Sequence, residues 1–441
     1  MARLNMLNLN FGPRTHEGAP ARNISTELQL RRSVLACLLW EEQFYEDGVE
    51  IAGRIAELVP KVEAEKVGAL AVEAREKMKL RHAPLLLVRE MARHATHRQL
   101  VSETLARVIQ RADELAEFVA IYWKDGRVPL SAQVKKGLAA AFPKFDEYAL
   151  AKYDRSGPIK LRDVLFLAHA KPRDEAQAEL WKRLIAGELT APDTWEVALS
   201  SGADKREAWE RLLGGQKLGA LALLRNLRNM REVGVNEELV LGALSAMNAA
   251  RVLPFRFLAA ARYAPQWEEA LEHAMLKSVA SQDNPQPKLR GKTIVLVDVS
   301  GSMTAPLSRR SDMQRTDAAY GLAVLLREIG ENVAVFSFSD TLVEVPARRG
   351  FALRDAIDAS QRHNSTQLGK AVEELNRNHG YDRLIVITDE QAHDRVSGPK
   401  GKGYVINVAS YKNGVGYGKW THIDGWSEAV IEYIRALEQT E

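Results

Sequence analysis

The chain has one cysteine, Cys37, among 441 residues. A single thiol excludes any intrachain disulfide and suits a reducing compartment. Cys37 follows Val34-Leu35-Ala36 in a helical pattern, so it reads as core rather than as a nucleophile. Long apolar runs are lacking too: nothing approaches the ~20 residues that cross a bilayer. The amino terminus has no apolar signal core. A soluble, cytoplasmic, membrane-free monomer is therefore expected. The phosphate-binding glycine motifs are also missing, because Gly301 stands alone and no G-x-x-x-x-G-K follows it. A net charge of +3 is too small to announce nucleic acid. Its distribution says more, being −2 from Gly291 onward (18 basic, 20 acidic) and +5 before it. The length supports two or three domains, each with an ample core.

What is present centres on residues 293–302, TIVLVDVSGS. Ile294 to Val297 are apolar on both faces, as a central strand of a helix-covered parallel sheet must be. The run ends in Asp298, Ser300 and Ser302. Being two apart, they leave an extended chain on one side. Later, RLIVITD is a second apolar strand ending in Asp389. Between them the loop His363-Asn364-Ser365-Thr366 opens a helix and offers a third hydroxyl. One carboxylate and two hydroxyls, joined by Thr366 and Asp389, are hard oxygen donors suited to Mg²⁺, Mn²⁺ or Ca²⁺, with Mg²⁺ the expected ion. Ligands of open α/β sheets lie beyond the carboxyl ends of strands, where all of these fall. This D-x-S-x-S, T, D order resembles the metal-ion-dependent adhesion site of von Willebrand factor A domains. Against this stands a plainer reading, in which the serines only cap a helix and Asp389 is a turn residue; motif and strand context together favour the metal site.

Along the chain, residues 1–24 read as an irregular arm and 25–281 as helices only. Residues 100–120 carry a helical period through Leu105, Val108, Ile109, Ala112, Leu115, Ala116 and Val119. A helix also spans 28–40. Thr190-Ala191-Pro192-Asp193 and Ser201-Gly202-Ala203-Asp204 resemble capping boxes, Asn236 precedes a helix, and Pro254 opens another. Many short helices without strands suggest stacked hairpins of HEAT type. A polar, proline-containing linker, 282–292, separates them from 293–441. There, strands 332–338, 342–345, 384–388 and 403–409 alternate with helices 318–329, 352–359, 368–376 and 427–437. That alternation gives an α/β doubly wound sheet.

A second cluster surrounds Lys152-Tyr153-Asp154-Arg155-Ser156-Gly157-Pro158. The following helix carries Leu161, Val164, Leu165 and Ala168 as a core stripe. Arg162, Phe166 and His169, at i, i+4 and i+7, share another face. Cation, ring and imidazole together can hold phosphate while stacking on a base. Basic helix faces are more often merely solvated, so these residues alone do not assign RNA. Arg225, Arg228 and Arg231 form a further basic face with the same two readings.

The segments KYDRSGPIKLRDVLFLAHAKP, ALLRNLRNM and PFRF, followed by DVSGSM, resemble the TROVE family, that of the Ro autoantigens, in bacterial or phage form. The resemblance runs from LRRSVL to THIDGWSEAV. It implies a mainly α chain, a HEAT-like helical ring closed by the von Willebrand factor A domain. It also implies a non-enzymatic RNA scaffold that takes small noncoding (Y-like) RNA outside and 3′ ends of misfolded RNA inside. An exoribonuclease or other protein would be recruited through RNA or metal. By the same resemblance Lys152 and His169 carry RNA, with Arg155 and Arg162 beside them. Asp154 stands where a basic residue is expected, Asn-Ser replaces a Gly pair before Thr366, and residues 40–45 replace a Gly-rich segment. The competing reading is a metal-dependent adaptor for proteins with no dedicated RNA ligand.

Overall fold

In the computed structural model, residues 25–36, 48–78, 80–154, 157–190, 194–200, 204–249, 252, 254–279, 288–306, 313–389, 392–408, 418–424 and 429–439 are described. The arm 1–24, Cys37, the 40–45 segment, Arg155 and residues 281–287 of the polar linker region fall outside them. Two compact units emerge. Among the described residues, one holds 26–36 and 48–246, the other those from 247 onward.

The described elements of the first unit are all helices. Helix Ala64–Glu76 packs on His82–Arg93, both pack on Arg98–Val108, and that helix packs on Ala132–Ala141. The last contact is close because Gly137 faces it. A Cβ there would lie 2.9 Å from the Leu105 Cβ and 3.0 Å from the Ser102 carbonyl. The periodic stretch 100–120 is two helices rather than one, Arg98–Val108 and Asp113–Tyr122. Apolar spacing continues across the break, and most of its residues are buried as expected. Glu114 causes the break. One oxygen of its fully buried carboxylate accepts the peptide N–H groups of Gln110 (2.8 Å) and Arg111 (3.0 Å), starting a new helix. Its other oxygen takes Arg75 Nη2 at 2.6 Å.

Of the four helix starts marked in the sequence, two are displaced and two stand. Asp204, not Ser201, caps Lys205–Gly214 by accepting the Glu207 N–H at 2.9 Å. The start after residue 190 is likewise displaced, since the Thr194 hydroxyl accepts the Val197 N–H at 3.3 Å. Residues 191–193 and 201–203 lie outside the described chain. Asn236 Oδ1 accepts the Glu238 N–H, and Pro254 opens the helix Pro254–Tyr263, both as expected.

The second unit carries a six-stranded sheet: β1 Leu289–Asp298, β2 Gly330–Phe338, β3 Leu342–Glu344, β4 Arg383–Thr388, β5 Lys402–Asn407 and β6 Trp420–Asp424. Their spatial order is β3-β2-β1-β4-β5-β6, parallel except for β3. Strand β6 was not expected. Its Thr421 and His422 interrupt the apolar pattern that marked the others. Ile294, Leu296, Leu384 and Val386 pack on the helix Leu368–Asn378 from one face. The out-of-phase Arg383 reaches the opposite face, where Nε bonds Glu438 Oε1 (2.6 Å) of the closing helix Ala429–Gln439. The helices Pro254–Tyr263 and Glu268–Val279 pack in this same unit. Arg262 Nη2 meets Asp317 at 2.8 Å, and Glu272 accepts the Phe351 N–H at 2.6 Å. No helix among the described residues is long and apolar enough to cross a membrane.

Candidate metal centre and RNA surface

Strand β1 is central, so its carboxyl end is flanked by the ends of β2 and β4. Val297 pairs with Ile387, which sets Asp298 beside Thr388 and Asp389. Asp298, Ser300 and Asp389 have no exposed surface, and Thr366 has 3%. The Asp298 carboxylate accepts the Ser300 N–H at 2.8 Å and the Thr388 hydroxyl at 2.5 Å. Ser300 Oγ and Ser302 Oγ lie 3.2 Å apart. Burial and the nearby Asp389 charge push the Asp298 carboxyl up to about 7. Asp389 meets the guanidinium of Arg315, Nη1 to Oδ2 at 2.9 Å.

The loop bearing Thr366 is tied to this cluster by its backbone. The Gly301 N–H donates to the Asn364 carbonyl at 3.2 Å. A Cβ at 301 would just touch that loop, 3.4 Å from the His363 carbonyl. From the end of β2, buried Ser339 accepts the Asn364 N–H and donates to the Ser365 carbonyl, both 2.9 Å. Asp340 accepts Asn364 Nδ2 at 2.7 Å and the Ser365 hydroxyl at 2.5 Å. The Asn-Ser pair before Thr366 thus has a defined job, satisfying Asp340. His393 is exposed, and its peptide N–H donates to the Thr366 carbonyl at 3.0 Å. Glu390 falls outside the described residues.

Sequence reasoning found the oxygen-bearing residues but missed Ser339, Asp340, Thr388 and Arg315. The first two had a signal: polar residues at the end of a strand next to β1. Arg315 had none, because it enters from a helix start. As a donor set, the cluster fits a hard divalent cation. Two buried carboxylates lie side by side among hydroxyls, and the two donors to Asp298 are neutral. Among the described residues no group of three or more His, Cys, Asp or Glu is arranged to hold a metal. The candidate centre has only two carboxylates, and its other donors are hydroxyls.

In the helical unit, Lys152 lies in the last turn of the helix Glu147–Tyr153. Its ammonium sits 5.7 Å from the Tyr148 ring centre and 5.8 Å from that of Tyr153, whose ring also carries Arg111 at 4.8 Å. The next helix, Leu161–Ala168, buries Leu161, Val164, Leu165 and Ala168. Arg162, Phe166 and His169 are exposed, Phe166 by 58%. His169 ends the helix in the left-handed region, at φ 53° and ψ 40°. Burial raises the Asp154 carboxyl, against the pull of Lys160 and Arg162. Arg225, Arg228 and Arg231 are exposed on the helix Ala220–Glu232, where Arg228 pairs with Glu232 at 2.9 Å.

The TROVE domain family matches residues 176–317, a span that runs from the helices through Asp298, Ser300 and Ser302. The Ro protein (Rsr) of Deinococcus radiodurans shares the fold. Its TM-score is 0.67 at 18% identity, over 95% of this chain and 100% of that one. Telomerase protein component 1 of Mus musculus is 28% identical over 228 residues, 48% of this chain and 8% of that protein. Its Rattus norvegicus counterpart is 38% identical over 87 residues, 18% of this chain and 3% of that protein. The chain therefore spans less than a tenth of the length of these two curated relatives.

Proposed function

We propose that this chain, a TROVE-domain protein with the Ro fold, is an RNA-binding scaffold. It takes small noncoding (Y-like) RNA through Lys152, Arg162 and His169, with Arg155 beside them in sequence, and it also takes 3′ ends of misfolded RNA. The observation that carries this reading is the exposure of Arg162 and Phe166 on the helix Leu161–Ala168 and of His169 at its carboxyl end. The Phe166 ring is 58% exposed, and an exposed guanidinium and imidazole accompany it. Bases stack on such rings while the cations meet phosphate. The left-handed His169 supports the reading further, since strained backbone in a non-glycine residue clusters at functional sites.

Asp298, Ser300, Ser302, Thr366 and Asp389 would hold one divalent cation, Mg²⁺ by the hardness of the donors. When bound, the metal supplies a fixed positive charge that a partner carboxylate can complete. An exoribonuclease or another protein would be engaged there or through RNA. The scaffold is cytoplasmic, monomeric and not an enzyme. Labelled RNA incubated with the protein and Mn²⁺ should keep its length. The direct test is the 260/280 nm absorbance ratio of freshly purified protein before and after ribonuclease, with sequencing of crosslinked RNA. A protein that leaves its own cell free of RNA would favour the second reading, a metal-dependent protein adaptor. The buried acid pair motivates that alternative.

A further inference from the structure

A guanidinium reaches into the acid cluster from the first turn of the helix Arg315–Ile329. Its backbone is fixed there. The Arg315 N–H donates to the Ala305 carbonyl at 3.1 Å, and the preceding Gln314 N–H donates to the Asp317 carboxylate at 2.7 Å. The side chain is 12% exposed. Its Nη1 is divided between Asp389 Oδ2 at 2.9 Å and the Ser302 carbonyl at 3.1 Å. Both acceptors belong to residues of the oxygen cluster. A guanidinium and a divalent cation on one carboxylate repel each other, more strongly where water is excluded. The same carboxylate cannot serve both fully.

We propose that Arg315 is a tethered competitor of the metal, which neutralises Asp389 in the metal-free protein and must withdraw for a divalent cation to bind. Arg315 thereby sets the affinity of the centre. The inference rests on the metal reading of the five residues. It adds two arrangements of one site, closed by arginine or loaded with metal. Binding energy spent on displacing the arginine lowers the apparent affinity by the fraction of protein that is open.

The experiment is calorimetric titration of the chelator-treated full-length protein with Mn²⁺ alone and Mg²⁺ alone. Wild type is compared with Arg315→Gln, Arg315→Met and Arg315→Lys, each checked by circular dichroism. Two neutral variants are used so that misfolding of one leaves the other informative. If the arginine-closed form holds about nine-tenths of the protein, both neutral variants bind about tenfold tighter. Arg315→Lys, which keeps the charge, stays near wild type. In chelator the neutral variants melt below wild type, and metal raises their melting temperature more. Equal or weaker metal binding in the neutral variants would overturn the proposal, making Arg315 a bystander or a support for Asp389. Tightening in Arg315→Lys equal to that in Arg315→Gln would also overturn it, because charge would not be the cause. If no protein, wild type included, binds either ion at millimolar concentration, the metal reading itself falls and takes this inference with it.

Discussion

Glu114 in the helical unit and Asp298 in the sheet unit are both wholly buried carboxylates, yet they are surrounded in opposite ways. Glu114 receives two peptide N–H groups and the guanidinium of Arg75, which also donates to the Val108 carbonyl at 3.0 Å. Its charge is matched, and the arrangement stops one helix and starts the next. Asp298 receives a peptide N–H and a hydroxyl, and the charge that acts on it is that of a second carboxylate, Asp389. Burial raises both acids above their ordinary range; a like charge adds least at Glu114, from Asp113, whereas at Asp298 that of Asp389 ranks next after burial. A matched buried acid holds a fold together; one facing a like charge costs stability and persists where it is used.

The comparison breaks most visibly at Glu114. Glu114→Ala strands Arg75 and two peptide N–H groups, and should cost about 3–5 kcal/mol in urea unfolding. A loss below about 1 kcal/mol would mean the helix break has another cause.

Next comes Glu438, a matched acid in the sheet unit. Burial raises its carboxyl, but the hydrogen bond and charge of Arg383, aided by Tyr404, outweigh burial and hold it below the usual value. A depressed acid stabilises the fold above its unfolded pKa, and that stability fades as pH falls through the folded value. Glu438→Gln should thus cost about 1.5–3 kcal/mol at pH 7. The difference from wild type should vanish in unfolding curves well below about pH 4.

Asp298→Asn should act in the opposite direction. In chelator it removes a buried like-charge contact and should raise stability by about 0.5–2 kcal/mol while abolishing metal binding. Destabilisation in chelator, with Mg²⁺ affinity intact, would place Asp298 with Glu114 as a structural acid.

A smaller gain is expected at His169. Glycine tolerates the left-handed conformation that histidine occupies there, so His169→Gly should stabilise by up to about 1 kcal/mol. It should nevertheless weaken RNA binding. Tighter binding alongside greater stability would assign the imidazole no role on RNA.

The two regions also differed in how much their sequence disclosed. The sheet's central strands were legible because β1 and β4 are apolar on both faces and end in oxygen-bearing residues. The same pattern placed Asp298, Ser300, Ser302, Thr366 and Asp389 at the carboxyl ends of strands or at a helix start. Edge strand β6 was hidden by Thr421 and His422, as a half-covered strand often is. The break between Val108 and Asp113 was hidden for a different reason. Apolar spacing reports which side of a chain is buried, and that side continued across the break. Only the pairing of Glu114 with residues 110, 111 and 75 decided it, a tertiary event. Arg315 was equally silent, since a helix-start arginine meets Asp389 only once β1, β4 and the loop after 298 are assembled.

Lys152 represents a third use of charge, at the surface and cradled by Tyr148 and Tyr153 rather than by a buried acid. Lys152→Ala should leave the melting temperature unchanged, the smallest stability effect of the set. Its effect belongs to binding. Each cation that neutralises a phosphate contributes roughly 0.7–0.9 to the fall of log K with log salt. A filter-binding salt series with a structured small RNA therefore tests the central claim most directly. Lys152→Ala should bind more weakly than wild type, with a salt slope about one unit shallower. An affinity and slope indistinguishable from wild type would contradict RNA binding on this surface.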